Sequence, residues 1–456
     1  MQRLISFGVS YTSKSIFMKK IVLSLILSAC CPGLFAQQGN QNFVTIDIDN
    51  FWIAYDQIRS TKDSTAQYNY LNELFLEKGS PGLKGIMEAR NYTAKSYIDA
   101  INAYPLFWNS IRLNTLKAKE FVGSISAGVD EIRQLYPALK PAQIYFTIGA
   151  LRTGGTTLKD RVLIGSEISM ADQNTTTSEF PAAFSHLDPF FKTNPIKGLV
   201  FTNIHEYVHT QQKTTIANTL LGQCVMEGVA EFIAVMASKQ SSTTPALSYG
   251  PANDAAIQKK FATQMYNPYT GFWLYSNAEN EFRQRDLGYY VGYAICAQYY
   301  KRAKDKKKAI AEMIELDYDN EQELNRFVAQ SGYFQESLQS IKSSFDQSRP
   351  TLIAMTPFSN QATSVDAKLT EITLTFSAAM DKRFRNFQLG PLGEKNLLKL
   401  KSFKGFSADG RSATIEVELQ PGRQHQIVLG AGFRSLDGIA LQPYLIDFKT
   451  APHIEP

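Results

Sequence analysis

The ten residues from 201 to 210, FTNIHEYVHT, place two histidines four residues apart with a glutamate directly after the first. Residues four apart share one face of a helix, so His205 and His209 can aim a ring nitrogen at one metal ion. Glu206 projects roughly 100° around the helix from His205, where its carboxylate can take a proton from a metal-bound water. The motif therefore predicts a hydrolytic zinc centre with two histidine ligands and Glu206 as the general base.

Two histidines leave the tetrahedral coordination of zinc incomplete, so a third protein ligand must come from another element. The segment VMEGVAEF holds Glu227 and Glu231, which lie one turn apart on one face of an apolar helix. Either carboxylate could supply the third ligand, and Gly228 allows this helix to approach the first one closely. On the HEYVH motif alone, the alternative is that His205 and His209 are ordinary hydrogen-bonded histidines of the core.

The HEYVH motif followed by MEGVAEF resembles the gluzincin peptidases, in which a glutamate on the helix after HE-x-x-H completes the zinc site. In the aminopeptidase N family this glutamate lies in a segment N-E-G-F-A, and Met226 stands here where that family has its asparagine. The gap from His209 to Glu227 is one residue shorter than that family shows. The resemblance implies that Zn2+ is held by His205, His209 and Glu227. Glu231 then accepts the other N–H of a zinc-bound histidine.

The segment DLGYYVGYAI carries Tyr289 three residues before Gly292, and this spacing resembles the Y-x-K-G-A segment of the same aminopeptidases. In that family the tyrosine hydroxyl donates a hydrogen bond to the developing oxyanion, so the resemblance implies this catalytic role for Tyr289. Val291 replaces the lysine of that segment. Tyr290 and Tyr293 compete for the same role, and an aromatic helix face in the core is the remaining alternative.

The segment LIGSEIS at 163–169 stands where a substrate-binding edge strand is expected. The aminopeptidases bind the free amine of their substrate with a G-A-M-E-N strand, which is not present as such in this sequence. Glu167 is the carboxylate that could bind an amine in its place. We therefore expect an endopeptidase or a peptidase of narrow specificity rather than a general aminopeptidase.

Apolar periodicity indicates which elements must position these motifs. Residues 45–140 carry apolar side chains three or four apart, which is typical of helices. AQIYFTIGAL and RVLIGSEISM, separated by a loop with a Gly pair, predict a hairpin or two neighbouring strands. Thr193-Asn194-Pro195 predicts the start of the HEYVH helix, which should run to about Gln212. Further helices are expected over 218–238 and from Asp286.

The pattern changes to short alternating strands near residue 350, as in EITLTFSAAMD and SATIEVELQPG, with turn residues between the runs. TFSAAMD and SLDGIALQPYLIDFKT resemble a bacterial Ig-like domain of the type found in cell-surface proteins. The resemblance implies a β-sandwich without catalysis of its own. We expect His425 and His453 at the surface of this part.

The first 36 residues have the pattern of a signal segment, in which MKK is the positive region and IVLSLILSA the apolar one. A run of nine residues is too short for a stable membrane span. Leu34-Phe35-Ala36 resembles a general signal-peptidase site, whereas Leu27-Ser28-Ala29-Cys30 resembles a lipobox in which Cys30 would be lipidated. Both predict an exported protein, in the periplasm, at the cell surface or secreted. Only the second gives contact with a membrane, through the lipid anchor.

The net charge bears on the class of partner, and the number of cysteines bears on disulfide bonds. The formal net charge is +5, but Arg3, Lys14, Lys19 and Lys20 all lie in the signal segment, so the remaining chain is near neutral. A nucleic-acid partner is therefore not expected. Outside the signal segment the cysteines are Cys224 and Cys296, which are too few for a disulfide framework and are expected as buried thiols.

The span from about 45 to 345 resembles the bacterial predicted zinc-dependent protease families of gluzincin type. We predict a multidomain protein with a signal segment (1–36), a mainly α (α+β) zincin-like metallopeptidase domain (37–350) and an Ig-like β-sandwich (351–456). It should hydrolyse peptide or protein substrates through a zinc-bound water that Glu206 activates. The alternative is a non-catalytic cell-envelope protein or lipoprotein, with a structural metal site and an Ig-like module that binds a partner or glycan. Glu206 favours the enzyme, because a structural site has no need of it.

Overall fold

The computed structural model describes residues 42–452. The predicted signal segment, its two candidate cleavage sites, Cys30 and His453 lie outside the described residues. Within them, helices predominate as far as residue 348 and antiparallel strands follow from residue 352. The prediction of a helical part followed by a β part is therefore confirmed at this level.

The helices of the described range carry most of the fold before residue 350. The α-helices are α1 (Ile46–Arg59), α2 (Ser64–Leu71), α3 (Pro81–Arg90), α4 (Ala94–Ala103), α5 (Pro105–Thr115), α6 (Val122–Leu135), α7 (Ser166–Ser169), α8 (Leu187–Phe191), α9 (Leu199–His209), α10 (Leu220–Ser238), α11 (Pro245–Ala262), α12 (Leu287–Arg302), α13 (Lys306–Ile314), α14 (Glu321–Ser331) and α15 (Leu338–Ser348). A π-helix (Asn72–Leu76) extends α2, and short 3-10 helices cover Ala118–Phe121, Ala182–Phe184, Pro195–Gly198 and Glu394–Asn396.

Among residues 42–452, the strands form one sheet in the helical part and two in the β part. They are β1 (Phe43–Val44), β2 (Gln143–Thr147), β3 (Gly155–Leu158), β4 (Arg161–Gly165), β5 (Leu352–Thr356), β6 (Glu371–Phe376), β7 (Phe387–Gln388), β8 (Lys399–Phe406), β9 (Ser412–Glu418), β10 (Gln424–Leu429) and β11 (Tyr444–Lys449).

The HEYVH motif lies on α9, as its spacing predicts. The predicted first turn is the 3-10 helix Pro195–Gly198, so the α-helix proper begins at Leu199, and it ends at His209 rather than near Gln212. The next helix, α10, begins after Thr219, whose side chain accepts a hydrogen bond from the Gly222 N–H. Such a cap satisfies a backbone donor that the first helical turn leaves free.

The sheet of the helical part has the order β1-β2-β4-β3. β2 and β4 are neighbours, as predicted, but they are parallel, and the loop between them supplies β3, antiparallel to β4. The expectation that LIGSEIS is an edge strand is wrong. Its first three residues end the inner strand β4, which is paired on both sides and buried, and the rest forms α7. The edge strand beside α9 is β3.

Helix α10 is buried along most of its length between α9 and α12. By length and composition it could cross a membrane, but 89% of its most apolar window is buried within the protein. Gly228 of α10 meets Gly292 of α12, and a Cβ atom added at Gly292 would lie 1.8 Å from the Cys224 carbonyl oxygen. The two helices therefore touch backbone to backbone, which fixes the spacing between the residues that they carry.

We expect Gly292→Ala to lower the free energy of unfolding by about 1–3 kcal/mol, because α10 and α12 must separate to admit the methyl group. Urea unfolding followed by circular dichroism measures this change. The matched control is Gly123→Ala on α6, where an added Cβ meets no atom within 4 Å. That substitution should be neutral or stabilise by up to about 1 kcal/mol. Equal unfolding midpoints for the two variants would contradict the close crossing.

The β part consists of two antiparallel sheets, ordered β5-β6-β9-β8 and β11-β10-β7. Ile372 and Ile415 from the first sheet share one buried cluster with Ile427 and Ile446 from the second, so the sheets enclose a core of their own. His425 is not at the surface as expected. It is 2% exposed, because β10 pairs it with Phe448 and its ring stacks on that side chain inside the β part.

One loop of the β part reaches into the helical part. Ile439 is 7% exposed and belongs to the apolar cluster of the helical part. The side chain of Asn267 donates to the Gly438 carbonyl at 2.9 Å and accepts from the Ala440 N–H at 3.0 Å. The carbonyl of Asn267 accepts from the N–H of Leu220, the first residue of α10. Asn267 therefore connects the β part directly to the start of α10.

Candidate metal centre

Three buried side chains converge where α9 meets α10. The Nε2 atoms of His205 and His209 are 3.1 Å apart, and Glu227 Oε2 lies 3.3 Å from each of them. Tetrahedral zinc with ligands at about 2.0–2.1 Å would place neighbouring ligand atoms about 3.3–3.4 Å apart. The separations fit one metal ion without rearrangement. Within residues 42–452, His205, His209 and Glu227 thus form a group that could hold a metal ion.

The outward nitrogens of both histidines are held by neighbours. His205 Nδ1 lies 2.8 Å from Glu231 Oε2, and His209 Nδ1 lies 2.6 Å from Gln212 Oε1. A carbonyl or carboxylate partner keeps the proton on Nδ1, so that Nε2 can donate its lone pair to a metal. Glu231 thus contacts a candidate ligand and is not itself part of the three-residue cluster. Gln212 was not predicted, although it lies one turn beyond His209.

The charges in this cluster are strongly coupled. Burial would raise the pKa of Glu227, but the charge of His209 and the hydrogen bonds from both histidines hold it well below its ordinary value. Burial would lower the pKa of His205, whereas its hydrogen bonds to Glu227 and Glu231 raise it well above the usual value. The pKa of His209 is also raised, mainly by the charge of Glu227 against the effect of burial. The three groups thus favour a positive charge between them, which a divalent cation can supply in place of protons.

Glu206 lies beside the cluster and is oriented by the edge strand β3. Thr157 Oγ1 is 3.0 Å from Glu206 Oε2 and 2.8 Å from the backbone oxygen of the same residue. A Cβ atom added at Gly155 would lie 3.0 Å from Glu206 Oε1, so this glycine leaves room for the carboxylate. Neither Gly155 nor Thr157 was predicted as a site residue, and the Gly pair in GGTT is the sequence feature that marks this strand.

Of the three candidate tyrosines on α12, Tyr289 lies at the cluster. Its ring centre is 6.1 Å from that of His205, and burial and the charge of Glu227 raise its pKa well above 10. Its hydroxyl therefore stays protonated near neutral pH and can act as a donor. Tyr290 donates instead to Asp254 at 3.0 Å, and Tyr293 packs against Phe232.

A fourth tyrosine contacts the cluster from the loop between α11 and α12. The Tyr275 hydroxyl donates to Glu227 Oε1 at 2.5 Å, and Gln223 Nε2 donates to the Tyr275 hydroxyl oxygen at 2.9 Å. Sequence reasoning missed this residue. No periodic pattern marks a loop tyrosine, and 48 positions separate it from the carboxylate that it binds.

Glu167 has a different role from the one expected. Its side chain is fully buried (0% exposed) and accepts hydrogen bonds from the backbone N–H groups of Gly149 and Leu151, which lie before β3. Burial raises the pKa of Glu167 to about 7. The carboxylate braces the loop and is not accessible to an amine of a substrate. Cys224 and Cys296 are both buried and unbridged, as predicted.

Solved structures that match this chain do so weakly. CopC from Methylosinus trichosporium OB3b is 17% identical, with a TM-score of 0.20, over 24% of this chain and 99% of that chain. The S-layer protein rSbsC(31-844) is 11% identical, with a TM-score of 0.18, over 90% of this chain and 45% of that one. Domains 1–6 of the surface layer protein SbsC give 13% identity over the same shares. These TM-scores support no conclusion about the fold or the function.

No curated protein matches the sequence. Residues 191–320 match a protein family described as "Predicted Zn-dependent protease (DUF2268)". The matched range includes the helices from α9 to α13, and with them every candidate ligand as well as Tyr275 and Tyr289. It does not include β3, which orients Glu206. This part of the chain is thus similar to a family of predicted zinc-dependent proteases.

Proposed function

We propose that the protein is a zinc-dependent peptidase with His205, His209 and Glu227 as metal ligands. The observation that carries the proposal is the convergence of three buried ligand atoms, with the acid Glu206 near enough for its charge to act on His209. A purely structural site has no use for that acid, because its coordination is closed by protein ligands. The similarity of residues 191–320 to predicted zinc-dependent proteases supports the same assignment.

The side chains around the cluster have separate roles in this proposal. When bound, zinc would supply a Lewis acid that polarises the peptide carbonyl and makes water a better nucleophile. Glu206, oriented by Thr157, accepts the proton of the attacking water and returns it to the leaving amine. Tyr289, which stays protonated, donates to the oxyanion that forms on the carbonyl. Glu231 and Gln212 keep the two histidines in the required orientation.

The arrangement around the cluster supports a zincin-like domain of gluzincin type. A sheet with edge strand β3 lies against the helix of the HEYVH motif, and the third ligand comes from the following helix. An edge strand can add an extended peptide by backbone hydrogen bonds. Glu167 is buried and therefore cannot bind the free amine of a substrate. We propose cleavage within chains rather than release of N-terminal residues.

Export and the nature of the β part belong to the same proposal. The MKK and IVLSLILSA runs favour export to the periplasm, the cell surface or the medium, with a lipid anchor if Cys30 is the modified residue. The two antiparallel sheets around one core are compatible with an Ig-like module. Identification of the mature N-terminus by mass spectrometry separates a lipidated Cys30 from an unmodified Gln37.

The metal dependence of peptide cleavage tests the central proposal. We expect purified protein to cleave members of an unbiased peptide library, to lose this activity with a chelator and to regain it with about one zinc per chain. A magnesium salt in place of zinc is the control, since magnesium prefers oxygen ligands and should not restore cleavage. Zinc-loaded protein that cleaves no peptide would favour the non-catalytic envelope protein with a structural metal site.

A further inference from the structure

Glu227 presents its two carboxylate oxygens to different partners. Oε2 lies 3.3 Å from the Nε2 atoms of His205 and His209, whereas Oε1 accepts the 2.5 Å hydrogen bond from the Tyr275 hydroxyl. We propose that Tyr275 is a positioning residue that restricts Glu227 to a single metal-binding oxygen. This inference rests on the proposed zinc site.

The restriction matters because a carboxylate can bind a metal through one oxygen or through both. A catalytic zinc site has three protein ligands and keeps its fourth position for water or substrate. If Glu227 bound through both oxygens, Oε1 would be a fifth ligand atom that crowds the water or substrate in that fourth position. A hydrogen bond from Tyr275 to Oε1 opposes this, because the oxygen would have to give up its partner in a buried site.

The direction of the hydrogen bond is fixed by a chain of neighbours. The N–H of Ala217 donates to Gln223 Oε1 at 2.8 Å, so the amide of Gln223 must present its NH2 group to Tyr275. The Tyr275 oxygen thus accepts from Gln223 and has its own proton free for Glu227. The side chain is therefore set to act as a donor to the ligand.

The backbone of Tyr275 is held in a conformation that a tyrosine rarely adopts, with φ of +59°. Its N–H donates to the carboxylate of Asp286 at 2.8 Å, and Asp286 directly precedes the helix that carries Tyr289. Strained backbone of this kind persists where the surroundings fix it, which is common at functional sites. The loop thereby directs the hydroxyl inward while the residue remains 57% exposed.

The test is Tyr275→Phe in the full mature chain, which removes the hydroxyl and keeps the exposed ring. Cobalt(II) in place of zinc reports coordination number, because four-coordinate cobalt absorbs visible light more strongly than five-coordinate cobalt. We expect the variant to bind cobalt with weaker absorption than wild type. We also expect kcat to fall about 10–100-fold, the usual effect of losing a group that orients a ligand, with little change in KM.

The matched control is Tyr290→Phe, which removes a hydroxyl bound to Asp254 on the neighbouring helix. It should leave the cobalt spectrum and kcat as in wild type. An unchanged spectrum in Tyr275→Phe would overturn the proposal, and so would a variant that no longer retains metal. If wild-type protein binds cobalt but cleaves no peptide, the proposed peptidase function fails, while the spectra still decide the role of Tyr275.

Discussion

Glu206→Gln should lower kcat for peptide cleavage by about 10²–10⁴-fold and leave the zinc content at the wild-type level. The amide has nearly the shape of the carboxylate and can still accept a hydrogen bond from Thr157, but it cannot take a proton from water. Metal content should not change, because Glu206 is not one of the three converging side chains. Steady-state kinetics on a library peptide and atomic absorption on the same sample measure both quantities.

Glu336→Gln is the control for that substitution, since Glu336 is an exposed acid in the same part of the chain. It should retain full activity and full metal content. Wild-type kcat in Glu206→Gln would rule out the proposed role of this residue as the general base. Loss of zinc in Glu206→Gln would instead mean that the carboxylate contributes to metal binding.

His209→Ala should reduce bound zinc from about one ion per chain to almost none after dialysis, because two side chains remain where a zinc site needs at least three. His205→Ala should do the same and should also leave the buried Glu231 without its 2.8 Å partner. Breaking a buried pair costs several kcal/mol, although Ser242 still donates to the other oxygen of Glu231, so this variant should melt at a lower temperature than the wild-type metal-free protein. Metal analysis together with thermal melts of metal-free samples separates the two effects.

His186→Ala provides the histidine control for metal binding. His186 lies directly before α8 and is only partly buried, and it is not among the converging side chains. Its zinc content should equal that of the wild type. If His209→Ala retains a full equivalent of zinc that His186→Ala also retains, the metal binds elsewhere and the proposed centre is wrong.

The periodic part of the site could be predicted from the sequence because a helix turns spacing into geometry. The i,i+4 spacing of His205 and His209 is enough to place both rings on one face of α9. Glu227 and Glu231 follow the same rule on α10, so the cluster and its neighbouring acid were available from the sequence. The sequence suggested that Gly228 lets α10 approach α9 closely, but in the structure this glycine meets Gly292 of α12 instead.

The parts that were missed depend on tertiary packing. Thr157 contacts the site from the edge strand β3, and Tyr275 contacts it from the loop between α11 and α12. No period in the sequence relates either residue to its neighbours in space. Glu167 is polar and lies in a strand-like run, yet backbone N–H groups satisfy it inside the protein. His425 is buried through its register with a neighbouring strand, which single-strand alternation does not reveal.

The loop that carries Ile439 also affects the order in which the contacts of the folded protein can form. Asn267 meets Ala440 across 173 residues of sequence, and a contact so distant forms only after a large loop has closed. During synthesis the chain emerges from its N-terminus, so every candidate metal ligand is made long before Ile439 fills the helical core. Until then the Asn267 side chain lacks both of its partners in the β part. The carbonyl of the same residue accepts from the first N–H of α10. The apolar cluster of the helical part therefore gains Ile439 only after residue 439 has been synthesised.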